Sequence, residues 1–252
     1  MLGALVCAAG TSARAESAPR KPVVVSGSAS NVGGVLSTSA AGAVIELPSR
    51  AHLRVAPNSS LRVFPVPQLL ALTPGARTWT WSFALQSGRV DVELPKAGRN
   101  AVLASMGKLS VIVTAGHAAF RVDGGEATSA NVEGEVRSLL NDHWQTIPLG
   151  WTSTLSKDEP NAQAKPGLPG PTLTSAQRLW FSPNETMAMR DFRWARVAGA
   201  HGYQLRLRRL SDGKLVDQVT TANPEWGAGL TPVEPGKYAI ALRSIDARGM
   251  EG

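Results

Sequence analysis

The sequence predicts an all-β protein, and three observations carry that expectation. Apolar and polar residues alternate with a period of two through most of the chain. Turn-forming residues interrupt that alternation at short intervals, with 25 glycines and 17 prolines in 252 residues. Sustained stretches with a helical period are scarce. Apolar residues make up 43% and charged residues 18%, a balance that favours packed cores over disorder. The length suits one large or two modest domains.

Residues 1–15, "MLGALVCAAGTSARA", read as a secretory leader. An apolar core precedes an A-x-A cleavage site at Ala13-Arg14-Ala15, which makes Glu16 the new first residue. This places the mature protein in the periplasm or on the cell surface. Cleavage also removes Cys7, the one cysteine of the sequence. A mature chain without cysteine has no disulfide, no thiol nucleophile and no thiolate metal ligand. No later stretch reaches the roughly 18 apolar residues that a membrane span requires.

Residues 16–41 are rich in Ala, Ser and Gly and are expected to form a flexible arm, in which "PVVVSG" could supply an edge strand. Regular alternation begins in the domain expected over 42–155. Leu53 and Val55 point opposite to Arg54, and Leu61 and Val63 repeat the pattern after the turn "APNSS". Trp79, Trp81 and Phe83 share one parity. Val90, Val92 and Leu94 share a face opposite Arg89, Asp91 and Glu93. Leu109, Val111 and Val113 face one way up to "TAG". There a corner is expected, with His117 in it, and Phe120 and Val122 resume the inward set beyond. Val132, Gly134 and Val136 then alternate with Glu133 and Glu135. Such a series of short strands fits a sandwich, a roll or a solenoid.

Residues 156–178 carry a proline-rich run, "KPGLPGP", and no sustained alternation, so they are expected to be a linker. The last domain, 179–252, predicts a small β-sandwich. Its strands lie at Phe192–Trp194, through Tyr203, Leu205 and Leu207, at 215–219 and through Tyr238, Ile240 and Leu242, with Trp194 and Tyr203 in the core.

Chemistry is sparse. The four histidines, His52, His117, His143 and His201, lack metal-like spacing, and His117 is expected to be a structural or interaction residue rather than a ligand. No G-x-S-x-G, phosphate-binding loop or dinucleotide fingerprint occurs. Asp91 and Glu93 share an outward strand face, as Glu133 and Glu135 do, but paired carboxylates become glycosidase machinery only in a cleft of defined separation. Asp123 and Glu126 lack the framework of a calcium loop. No enzyme activity, cofactor or metal is therefore expected.

The formal charge of +7 is spread along strands. In "LRLRR", residues 205–209, Arg206 and Arg208 alternate with leucines and are expected on a solvated face that could meet an acidic partner. No recognition helix or RNA-binding strand accompanies them, which argues against nucleic acid. Trp79 and Trp81 either pack in a core or form a platform for a partner protein or a cell-wall sugar.

The ordered pieces "ALQSGRVDVEL", "VLASMGKLSVIVTAGHAAFRVDGG", "ANVEGEVRS" and "IPLGW" together resemble the FecR-type domain of bacterial envelope proteins. Leu85 and Gly88 to Val92 match its L-G-x-V-x-V strand. Ser105, Gly107, Leu109, Val111, Val113, Gly116 and Phe120 match its longer segment, and Val132 to Val136 match V-x-E-G-x-V. The likeness departs at Gly116-His117, where the family has Gly-Thr. Residues 192–207 and 235–249 resemble fibronectin-type-III-like modules, through Phe192, Trp194, Val197, Gly199, Ala200, Tyr203, Leu205 and Leu207 and through Pro235, Gly236, Tyr238, Leu242, Arg243, Asp246 and Gly249. The resemblance implies a β-rich domain, solenoid-like or roll-like, followed by a small β-sandwich. It also implies a non-catalytic regulatory or binding role through an envelope protein partner, with a peptidoglycan or polysaccharide ligand as the alternative.

The leader is directly testable. Intact mass and N-terminal sequencing of the exported protein should begin at Glu16, and a full-length chain retained in the cytosol would refute export.

Overall fold

The computed structural model describes residues 21–66, 80–95, 101–140, 143–156, 164–174, 192–226 and 236–252. The leader, Trp79 and Trp180 lie outside these residues. All the described regular structure is strand, in an eleven-stranded sheet followed by sheets of two and three strands. The all-β expectation holds.

The chain opens with an antiparallel hairpin of β1 (Val23–Val32) and β2 (Val35–Glu46). Gly33 and Gly34 connect them with φ of 59° and 80°. Two successive left-handed residues are what a tight hairpin of native twist requires, and glycine supplies both without steric cost. The expected flexible arm is corrected here: residues 23–32 and 35–41 are strand, joined by the Gly33-Gly34 turn. Their composition suggested mobility, but the Gly-Gly turn and cross-strand pairing fix them.

Next come β3 (His52–Val55), β4 (Ser60–Val66) and β5 (Thr80–Leu94), then β6 (Val102–Met106), β7 (Leu109–Asp123) and β8 (Glu126–Leu140). The long strand β5 organises the sheet by pairing differently along its length. Its first half lies between β4 and a parallel β6, and its second half lies between β3 and β7. The sheet therefore rolls around one core that includes Ile45, Leu53, Leu61, Phe83, Val92, Val111, Phe120 and Val136. Phe83 meets Phe120 edge to face, with ring centroids 5.5 Å apart, the arrangement aromatic quadrupoles prefer. Trp81 lies in the same core at 4% exposure, so it forms no exposed platform.

The corner expected at Gly116-His117 is also corrected. β7 runs unbroken from Leu109 to Asp123 and bends instead of reversing. Register shifts between Val113 and Ala115 and between His117 and Ala118 mark bulges against β8, and bulges sharpen local twist. Gly116 and Gly134 face each other across that ladder with φ of 92° and 100°. A Cβ on Gly116 would stand 2.0 Å from the Glu133 carbonyl oxygen, and one on Gly134 would stand 2.2 Å from that of Ala115. Only glycine fits at either position.

β9 (His143–Ile147) and β10 (Trp151–Leu155) both pair with β8. β11 (Ala164–Pro166) adds to β10 as an edge, so part of the expected linker is strand. Proline is tolerated there because an edge strand has a side that needs no amide hydrogen.

The second module contains β12 (Phe192–Arg193), β13 (Gly202–Arg209), β14 (Leu215–Thr221), β15 (Glu225–Trp226) and β16 (Tyr238–Ile245). β12 pairs with β15, and β13 lies between β14 and β16. Phe192, Trp194, Tyr203 and Leu205 form the core between the two sheets. Trp194 and Tyr203 pack edge to face at 5.3 Å, and the Tyr203 hydroxyl accepts a hydrogen bond from the Val197 amide at 3.0 Å.

The glycine pair yields a measurable contrast. Gly116→Ala should lower stability by roughly 3 kcal/mol, because strain at a positive φ adds to a backbone collision. Gly107→Ala, with φ of 60° and open space around it, should cost about 1 kcal/mol. Chemical denaturation of the two variants checks the ranking, and equal losses would contradict it.

Candidate functional site

The charged side chains that the sequence places on outward strand faces converge on the seam between the two modules. Arg89, Asp91 and Glu93 share one face of β5 because the inward face takes Val90, Val92 and Leu94. Strand pairing aligns Asp91 with Ala119 and Glu93 with His117, which brings His117 and Arg121 onto that same face. On β13, Tyr203, Leu205 and Leu207 fill the second module's core, so Gln204, Arg206 and Arg208 point the other way. That other way is the β5–β7 face.

Arg206 is 4% exposed, which corrects the expectation of a solvated strand face. One of its terminal nitrogens lies 2.5 Å from His117 Nδ1, and the other donates to Glu251 Oε1 at 2.6 Å. A guanidinium can only donate, so Nδ1 of His117 is the acceptor of the shorter contact, while Nε2 lies 3.4 Å from the other Arg206 nitrogen. That Nε2 faces Asp91 Oδ1 at 3.7 Å. Arg89 bridges the same carboxylates, at 2.9 Å from Asp91 Oδ1 and 3.2 Å from Glu251 Oε1, and also donates to the Gly249 carbonyl. Arg208 donates to Glu93 Oε1 at 2.7 Å, and Arg54 approaches the other oxygen of Glu93 at 3.7 Å. Arg121 donates to the Arg248 carbonyl, and Arg243 donates to that of Val132 at 2.9 Å. Beside this clasp, Met250 packs against Ala119, Ala130 and Val132. The small alanine side chains let the two backbones approach.

The electrostatics follow from burial and pairing. Burial pushes the Asp91 carboxyl up, but the Arg89 guanidinium and then the neighbouring His117 ring outweigh it and hold it well below the usual carboxylate range. Burial likewise opposes the Glu93 charge, and Arg208, then Arg54, bring it below its ordinary value. For Arg89, burial is overcome by Asp91 and Glu251, so its proton is held more tightly than in water. For Arg206, burial wins over the attraction of Glu251 and Asp91, and its affinity for the proton falls.

Asp91, His117 and Glu251 present ligand atoms within 4.8 Å of one another, the spacing of a metal site. Arg89 and Arg206 already neutralise those carboxylates, and a cation placed among them would face two guanidinium groups. The chemistry is that of an ion-pair clasp.

Next to the clasp lies a cleft of about 730 Å³, with walls from both modules. Its floor crosses the first module from Glu133 and Gly116 through Glu93 and Arg54 to Val44 and Val25, and the β13–β14 hairpin closes it with Asp212, Lys214 and Leu215.

The sequence-predicted residues thus separate. His117, Arg206 and Arg208 meet in the clasp, Trp81 lies in the core, and Trp79 is outside the described residues. Arg89 and Glu251 were not singled out from sequence. The strand alternation of "GRVDVE" had already assigned Arg89 to the outward face. Glu251 joins through a single bridge with Ile245, which no pattern announces.

No family model and no curated protein sequence matches this chain. Among solved structures, two crystal structures of a protein provisionally named an anti-sigma factor, from Parabacteroides distasonis, are similar at 7% identity. They cover 53% of this chain and 59% of theirs, with TM-scores of 0.43 and 0.42. The chain thus spans well under two thirds of those neighbours, and a likeness this slight bears on neither role nor partner.

Two outcomes test the clasp. Arg206→Ala leaves His117 without its donor and Glu251 with Arg89 alone, and should cost about 3 kcal/mol. Calorimetry should then resolve separate melting of the two modules. The carboxylates set the pH dependence. The folded values of Asp91 and Glu93 are depressed, so their contribution is complete above the unfolded carboxylate range near pH 4 and declines as pH falls through the folded values. Asp91→Asn should be less stable at neutral pH and should flatten the acid limb of a stability–pH curve. An unchanged acid limb would refute the assignment.

Proposed function

We propose that this protein is a non-catalytic binding or regulatory protein of the bacterial envelope, which acts by presenting a two-module surface to another protein. The carrying observation is how the buried charges at the seam are used. Groups that could act as acid, base or ligand hold the modules together instead, and the cleft beside them takes its walls from both. A cleft shared in this way keeps its shape only while the clasp is closed, which suits recognition of a partner segment. The resemblance to FecR-type domains and the leader-like residues 1–15 support the envelope setting. The burial of Trp81 counts against an aromatic platform for sugar at that position.

An affinity pull-down from envelope extract, beside peptidoglycan co-sedimentation, tests this reading. The wild type should retain a specific protein that a Lys214→Glu, Leu215→Asp variant on the cleft wall does not. Salt-resistant binding to glycan with no retained protein would overturn it in favour of a polysaccharide-binding role.

A further inference from the structure

The first strand of the sheet carries an unusual edge. Among the described residues, β1 pairs with β2 on one side only. Nine of its ten residues are exposed and Ala29 is half-buried. Its sequence, "VVVSGSASNV", contains no charge and no proline. Charged residues, proline and short length are the usual devices that prevent a free edge from pairing with another chain. Here two bulges, between Val24 and Ser26 and between Gly27 and Ala29, are the one such device present, and the run from Ala29 to Val32 stays in regular register.

Other free edges among the described residues are protected. β11 is three residues long and includes Lys165 and Pro166. β9 has five residues and meets Pro148. β14 and β16 carry Asp217 and Arg243. A head-to-tail contact needs β1 to find a second receptive edge on the neighbouring copy, and these features deny it one. A two-fold contact needs only β1 itself, and it closes after two copies.

The residues of β1 suit that arrangement. Antiparallel pairing about a two-fold axis centred between Gly27 and Ser28 sets Val23 opposite Val32 of the copy. These two side chains are 57% and 77% exposed in the single chain, and both leave water in the pair. Small neutral residues meet each other along the middle, so no unpaired charge is buried. We propose that β1 is a self-association edge, through which two copies of this chain join in a closed antiparallel dimer with a sheet continuous across the axis.

Sedimentation analysis and light scattering of the full chain across a wide concentration range test this. The expected result is a monomer–dimer equilibrium, with amide exchange in residues 23–32 slowing as concentration rises. Val23→Lys, Val32→Lys places like charges opposite each other at positions that are already solvent-exposed, and should weaken association by roughly tenfold or more. Circular dichroism should remain that of the wild type, and so should the melting temperature at concentrations where both are monomeric. A monomer at all concentrations, a dimer indifferent to the lysines, or open-ended polymers would each overturn the proposal.

Discussion

The Arg206 guanidinium leaves water only because His117 and Glu251 receive its protons and Asp91 lies close behind. A buried cation without partners would cost several kcal/mol, more than a module this small can spare. The contact therefore couples two decisions. β13 must expose Arg206 on the correct side, and β5 and β7 must present their polar face to meet it. The neighbouring contacts depend on the same approach: Arg208 on Glu93, Arg243 on the Val132 carbonyl, Met250 on two alanines. Apolar contact at the seam is modest and the polar contact extensive. The charges thus fix orientation more than they contribute net stability.

A polar seam of this kind selects one geometry. An apolar patch tolerates sliding, whereas donors and acceptors at 2.6 to 2.9 Å do not. This matters for a cleft whose two walls come from different modules, because a shift of an ångström at the clasp would reshape it. The specificity of such a cleft is set by residues that never touch its occupant.

Much of the fold was legible from alternation. Val90, Val92 and Leu94 against Arg89, Asp91 and Glu93 gave both the strand and its inward face, and Tyr203, Leu205 and Leu207 did the same for β13. What alternation cannot supply is the identity of the outer medium. Arg206 and Arg208 obey the polar half of the pattern whether that half meets water or another module, and so their burial was invisible. The Ala, Ser and Gly composition of residues 23–41 likewise hid a hairpin, because composition reports average mobility while Gly33-Gly34 and the opposing strand act through specific pairing. His117 was singled out for the wrong local reason. Its neighbour Gly116 signals a positive φ, which can bend a strand as readily as end it.

The two faces of β13 have a further consequence. Strand side chains alternate strictly, so a slip of one residue would turn Leu205 and Leu207 toward the seam and drive Arg206 into the aromatic core. Either error alone would be costly, and the geometry forces both together. Misregistered forms of the second module would thus lack both its core and its attachment. Docking acts as a proofreading step on folding: the first module accepts only a partner strand whose own interior is already correct.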